Sequence, residues 1–207
     1  MIKWIIFDVD GTLIETALSN LLGLQEVMKD LYGREYSKEE LRYLMGIPGD
    51  EALSKLGVKE ELIKDTWKQW SDNVKKYAKF NYIFDGIEDT LSKLSERYFL
   101  GIVTSKTKAQ LVEDFVDAGI LEYFKVFICK DDTEKHKPNP DPLLKLMEKA
   151  NIQGEEAIYL GDALVDYEAA SAARMLFGHC RYAEKTEDIK CELVFNKPEE
   201  ITNYFLS

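Results

Sequence analysis

Cysteine is scarce and unpatterned: Cys129, Cys180 and Cys191 are odd in number among 207 residues and form no CxxC pair. A disulfide framework and a zinc knuckle are therefore not expected, and the three read as reduced thiols. The two histidines, His136 and His179, read as surface or core residues. Long apolar runs are missing as well. The stretch Trp4 to Phe7 is far too short for a signal segment or a membrane span, and acidic residues follow at once. No membrane partner and a cytoplasmic location are the expectation. Positive charge is in deficit, with 27 Lys and Arg against 38 Asp and Glu and a net charge of -11. That field works against broad attraction to nucleic acid or anionic lipid, so no nucleic-acid partner is expected. An anionic small substrate would need positive charge concentrated locally by a metal ion or a lysine. Proline (5) and glycine (12) are few beside 45% hydrophobic and 31% charged residues, which is the balance of a folded globular chain.

What is present is an alternation of strands and helices. Ile2 to Phe7 is apolar almost throughout, the pattern of a strand buried on both faces of a parallel sheet, and it stops at Asp8. Short apolar runs recur at Phe99 to Val103, Val126 to Ile128, Ala157 to Leu160 and Leu193 to Phe195. Helical periods lie between most of them: Leu111, Val112, Phe115 and Val116 form one apolar face, and Leu143, Leu144, Met147 and Ala150 another. Pro198 is suited to open the last helix. The expected fold class is α/β, a parallel sheet with helices on both faces. From Thr16 to Phe80 the rhythm breaks, and only helical spacing remains: Leu18, Leu21, Leu24 and Met28, then Ile63, Trp67, Trp70, Val74 and Tyr77. Residues 15–81 are thus expected to be an all-helical insertion in a core of 1–14 and 82–207, with breaks at Gly46, Pro48, Gly49 and Gly57. Trp67 and Trp70 read as core aromatics of that insertion.

Polar residues gather at the ends of the apolar runs. In Asp8-Val9-Asp10-Gly11-Thr12-Leu13 two carboxylates follow a buried strand, and period-two geometry points both to one side. Carboxyl ends of strands are where open α/β sheets bind ligands. Two aspartates about 4 Å apart repel by about 4 kcal/mol at an effective dielectric near 20, a strain that a cation relieves. Thr104 and Ser105 follow Gly101-Ile102-Val103 and offer hydroxyls and backbone N–H groups just before a helix, a suitable phosphate cradle. Lys137 sits in a loop stiffened by Pro138, Pro140 and Pro142. In Gly161-Asp162-Ala163-Leu164-Val165-Asp166, Asp162 and Asp166 share one face if a helix starts between them.

In this order these segments resemble the four motifs of the haloacid dehalogenase superfamily: DxDGT, a strand ending in Thr or Ser, an isolated Lys, and GDxxxD. The resemblance spans nearly the whole chain, and the helical insertion is similar to the C1-type cap of the phosphoglycolate phosphatase and β-phosphoglucomutase branch. It implies an HAD-like Rossmannoid core and a phosphoric monoester hydrolase acting on a small phosphorylated metabolite. By position, Asp8 resembles the nucleophile and Asp10 the general acid and base. Thr104, Ser105 and Lys137 resemble the phosphate binders. The metal site implied is Mg²⁺ held by Asp8, the Asp10 carbonyl and Asp162, with Asp166 adjusting the shell. Oxygen ligands of this kind suit Mg²⁺. Glu15 and Asp85 depart from the usual pattern, in which Asp and Pro are frequent, and weaken assignment to one subfamily.

A phosphomutase of the β-phosphoglucomutase type shares every core residue and is the main alternative. A haloacid dehalogenase needs neither the second aspartate nor a metal. A catalytically silent binding module would have no use for the full polar set. Arg34, Arg42 and Tyr43 are candidates to contact a leaving group, and equally candidates for ordinary helix surface.

Overall fold

The computed structural model describes residues 1–45, 48–115, 119–183 and 188–207; Gly46 and Val116, noted above, lie outside them. In chain order the elements are β1 (Trp4–Phe7), β2 (Ile14–Glu15), α1 (Ala17–Tyr32), α2 (Lys38–Leu41), α3 (Gly49–Lys55), α4 (Glu60–Lys76) and β3 (Tyr82–Ile83). Then follow α5 (Ile87–Ser95), β4 (Phe99–Val103), α6 (Lys108–Phe115), β5 (Phe124–Ile128), α7 (Asp141–Ala150), β6 (Ala157–Gly161), α8 (Leu164–Ala172), β7 (Leu176–Cys180), β8 (Leu193–Phe195) and α9 (Pro198–Leu206). The chain forms two compact units, Met1–Ile14 with Ile83–Ser207, and Glu15–Tyr82.

The first unit is built on a six-stranded sheet of order β5-β4-β1-β6-β7-β8. All its pairings are parallel. Strand β1 is fully buried because its side chains serve both faces by period two. Ile5 and Phe7 join Leu100, Ile102, Ile158 and Leu160 against Ile87, Leu91, Leu94, Leu111, Phe115 and Ile201. Trp4 and Ile6 join Val103 and Tyr159 on the opposite face, against Leu143 and Leu146 of α7 and Ala169 and Ala170 of α8. The chain adds β4 and β5 on one side of β1 and then β6, β7 and β8 on the other, so the topological switch falls at β1. A crevice outside the carboxyl ends of β4, β1 and β6 follows from that order.

Two of the helical faces run differently from the sequence expectation. Val112 and Leu144 are exposed, while Leu111 and Phe115, and Leu143 and Leu146, carry the burial. The strand β7 carried no apolar run clear enough to expect it.

The second unit is helical and packs its own core from Leu21, Leu24, Val27, Met28, Leu41, Leu44, Leu53 and Trp70, with Ile63, Trp67 and Val74 half-buried against them. Both tryptophans are therefore packing residues, and the Trp70 indole N–H donates to the Asn20 carbonyl at 3.0 Å. Arg34 is likewise committed to this unit, donating to the Leu56 carbonyl at 2.6 Å; Tyr43 is exposed. Glu15 accepts the Ala17 N–H at 2.8 Å, a carboxylate at the start of α1 where the helix dipole favours it.

Candidate active site

Parallel pairing continues one residue past β1, where the Asp8 N–H donates to the Leu160 carbonyl at 2.8 Å. The chain then turns: Thr12 and Leu13 N–H groups both return to the Val9 carbonyl, and Gly11 takes φ +73°. That left-handed conformation favours glycine, and a Cβ at Gly11 would also collide with the Asp162 carboxylate. Period two therefore does not extend to Asp10. Its carboxylate goes to Lys106, with Lys106 Nζ 3.0 Å from Asp10 Oδ1, whereas Asp8 turns to Lys137. The repulsion expected between the two aspartates is met on this chain by two lysines, one for each.

Lys137 is 4% exposed and donates to Asp8 Oδ1 at 2.8 Å, Asp166 Oδ1 at 2.7 Å and the Tyr159 hydroxyl at 3.0 Å. An ammonium has three protons, and all three are used. Tyr159, in the middle of β6, stands within hydrogen-bond reach of the Val103 carbonyl (2.9 Å) and Asp166 Oδ1 (3.1 Å) as acceptors for its single proton. Asp166 accepts the Ala163 N–H on its second oxygen at 3.1 Å, so the same carboxylate starts helix α8 and holds Lys137. Gly161 is required beside it, since a Cβ there would lie 2.6 Å from the Asp166 carboxyl carbon.

Carboxylate oxygens of Asp8, Asp162 and Asp166 lie within 4.8 Å of one another. Burial pushes the Asp8 carboxyl up to about 7; Lys137 pulls it down, while the neighbouring charges of Asp166 and Asp10 push it further up. Asp162 is raised well above the carboxylate range by burial, then by Asp166 and Asp8, against Lys137. Burial lowers the proton affinity of Lys137, but Asp166 and Asp8 more than offset it, and the lysine stays charged. Once ionised, three acids beside one lysine make a net negative cluster of hard oxygens, and a divalent cation fits that donor set.

Thr104 is buried at the end of β4, and its hydroxyl accepts the Lys106 N–H at 3.2 Å. Ser105 is exposed beside it. The structure thus gathers Asp8, Lys137, Asp162 and Asp166 in one cluster and places Asp10 on a separate ion pair. Sequence reasoning missed Lys106, Asp114 and Tyr159. Lys106 also pairs with Asp114 Oδ2 at 2.8 Å. The available signals were a lysine two residues beyond Thr104 and a hydroxyl inside a strand otherwise wholly apolar.

A sequence model of the haloacid dehalogenase-like hydrolase family matches residues 5–178. A pyrophosphatase, PpaX of Halalkalibacterium halodurans, is 29% identical over 190 residues, covering 90% of this chain and 87% of that protein. A Lactobacillus plantarum crystal structure carrying the provisional name phosphoglycolate phosphatase superposes with a TM-score of 0.91 at 27% identity, covering 99% of this chain and 100% of that one. A Thermotoga maritima structure provisionally named β-phosphoglucomutase superposes at 0.76 with 24% identity, covering 99% of each, a likeness of fold alone.

Proposed function

The chain belongs to the haloacid dehalogenase-like hydrolases, and from that premise we propose that it is a Mg²⁺-dependent phosphatase acting on a small phosphorylated metabolite through a phosphorylated Asp8. The observation that carries this reading is the buried Asp8 carboxylate, held by Lys137 at the carboxyl end of the central strand.

Asp8 attacks phosphorus with one carboxylate oxygen, and the leaving oxygen departs with a proton from Asp10. An acyl phosphate results, and one hard step becomes two easier ones. Asp10 then takes a proton from water as the water oxygen bonds to phosphorus and the bond to Asp8 breaks. Lys137, fixed by Asp166 and Tyr159, meets the charge on the transferring phosphoryl oxygens at no cost of reorganisation. Thr104, Ser105 and the backbone around them cradle the phosphate. Asp8, Asp162 and the Asp10 carbonyl would hold Mg²⁺, with Asp166 orienting that group; the ion supplies charge neutralisation for the phosphoryl group. By family resemblance the helical unit corresponds to a C1-type cap.

The resemblance favours a phosphate monoester such as phosphoglycolate. The PpaX relative favours pyrophosphate as a second substrate class. Phosphate release with Mg²⁺ from a panel including phosphoglycolate, pyrophosphate and a sugar phosphate tests the reading. Turnover of at least one that stops in EDTA is the expected result. Full turnover in EDTA, or conversion of the sugar phosphate to an isomer without free phosphate, contradicts it.

A further inference from the structure

Lys106 is the cation that neither the sequence motifs nor the phosphate cradle explains. Its side chain is 14% exposed, and its ammonium lies between Asp10 Oδ1 at 3.0 Å and Asp114 Oδ2 at 2.8 Å. Asp114, on α6, is 17% exposed, while Asp10 is 38% exposed. A salt bridge kept for stability would be complete as Lys106 and Asp114 alone, since one carboxylate already neutralises one ammonium. The second bond, to Asp10, is therefore the contact that needs a reason. The lysine backbone is pinned from both sides: its N–H donates to Thr104 Oγ1 at 3.2 Å, and its carbonyl accepts the Lys130 N–H at 2.8 Å. A rigid path thus runs from α6 through Asp114 and Lys106 to the more exposed Asp10 carboxylate.

We propose that Lys106, anchored on Asp114, is a positioning residue that holds the Asp10 carboxylate in line for the water that hydrolyses the phosphoenzyme. The inference rests on the phosphoaspartate reading above. In that step the water oxygen forms a bond to phosphorus, the Asp8 oxygen–phosphorus bond breaks, and Asp10 takes the water proton, leaving the Asp8 carboxylate and inorganic phosphate. The direction of Asp10 matters in that step with every substrate, because the nucleophile is always water. In the first step it matters only for leaving groups that need a proton. Misplacement of a reacting group by about 1 Å costs on the order of 100-fold.

The experiment is acid-quench kinetics with labelled 4-nitrophenyl phosphate and Mg²⁺, on wild type, Lys106→Met, Lys106→Arg and Asp114→Asn. In Lys106→Met the phosphoenzyme is expected to form at close to the wild-type rate but to decay about 10 to 100-fold more slowly. The fraction of chains carrying phosphate at steady state therefore rises. Lys106→Arg recovers most of the decay rate, and Asp114→Asn moves it in the same direction as Lys106→Met by a smaller factor. Disruption of the fold would lower formation and labelled fraction together, and Asp114→Asn, nearly isosteric, keeps the comparison open if Lys106→Met does not fold. Phosphoenzyme decay at the wild-type rate in the folded variants, or equal loss in both steps, overturns the inference. Wild type that never becomes labelled overturns the phosphoaspartate reading first, and this inference with it.

Discussion

Asp162→Asn is expected to stabilise the metal-free protein while removing its response to magnesium. A carboxylate oxygen of Asp162 lies within 4.8 Å of those of Asp8 and Asp166. At that separation each like-charge pair costs about 3.5 kcal/mol at an effective dielectric near 20, and the attraction of Lys137 offsets roughly one of the two. The neutral amide removes the repulsion without changing side-chain volume, so a gain of about 3 kcal/mol is expected when all the acids are ionised. The pH dependence has a definite sign. Asp8 is raised from 3.8 to about 7, and Asp162 is also raised. A carboxyl whose folded pKa is raised contributes stability when protonated, and that contribution is lost as pH rises from the unfolded value through the folded one. Metal-free wild type should thus lose stability between about pH 4 and pH 7, and the advantage of Asp162→Asn should be largest near pH 8 and small near pH 5. Urea unfolding in EDTA at both values, repeated with excess Mg²⁺, reads both effects. An Asp162→Asn protein less stable than wild type in EDTA near pH 8, or equally stabilised by Mg²⁺, would refute the reasoning.

Tyr159→Phe removes a hydroxyl shared by Lys137, Asp166 and the Val103 carbonyl; a stability loss of about 1–3 kcal/mol is expected from the partners left short, and an unchanged unfolding midpoint would count against it. Gly11→Ala must both strain a φ of +73° and displace the Asp162 carboxylate, so it should weaken Mg²⁺-induced stabilisation by at least about tenfold in apparent affinity, read by titrating the melting temperature. Burial raises the Cys129 thiol to about 11 and the buried Cys180 thiol still further; both should react with a thiol reagent near pH 8 only after unfolding, and rapid labelling of the native protein would contradict their placement.

Much of the first unit was legible because buried parallel strands are written as unbroken apolar runs. Phe99–Val103 and Leu193–Phe195 match their runs residue for residue. β7 was not legible, since Gly178 and His179 interrupt it. In the sheet Gly178 gives room to Leu160 and Phe195, whose side chains a Cβ would meet at 2.6 and 2.8 Å, and no local pattern announces a need imposed by neighbouring strands. On α6 and α7 the helical period was right, but the apolar stripe was drawn too wide, taking in Val112 and Leu144. The cluster of Asp8, Lys137, Asp162 and Asp166 follows from the placement of each residue after a strand's carboxyl end. The direction of Asp10 did not follow, because a strand's alternation ends where the chain turns at Val9. Lys106 and Asp114 were hidden for a different reason: charged residues on a helix-leading loop and an amphipathic helix look solvated until tertiary packing pairs them.

The most direct test is to identify the atom that accepts the phosphoryl group. Wild type, Asp8→Asn and Asp10→Asn are mixed with labelled phosphate ester and Mg²⁺, quenched in acid and digested, and the phosphorylated peptide is located by mass spectrometry. The expected result is an acyl phosphate on Asp8 in wild type, none in Asp8→Asn, and in Asp10→Asn a label whose turnover is slowed on the order of 10²–10⁴-fold. A label on another residue, or an Asp8→Asn protein phosphorylated at the wild-type rate, would contradict the mechanism.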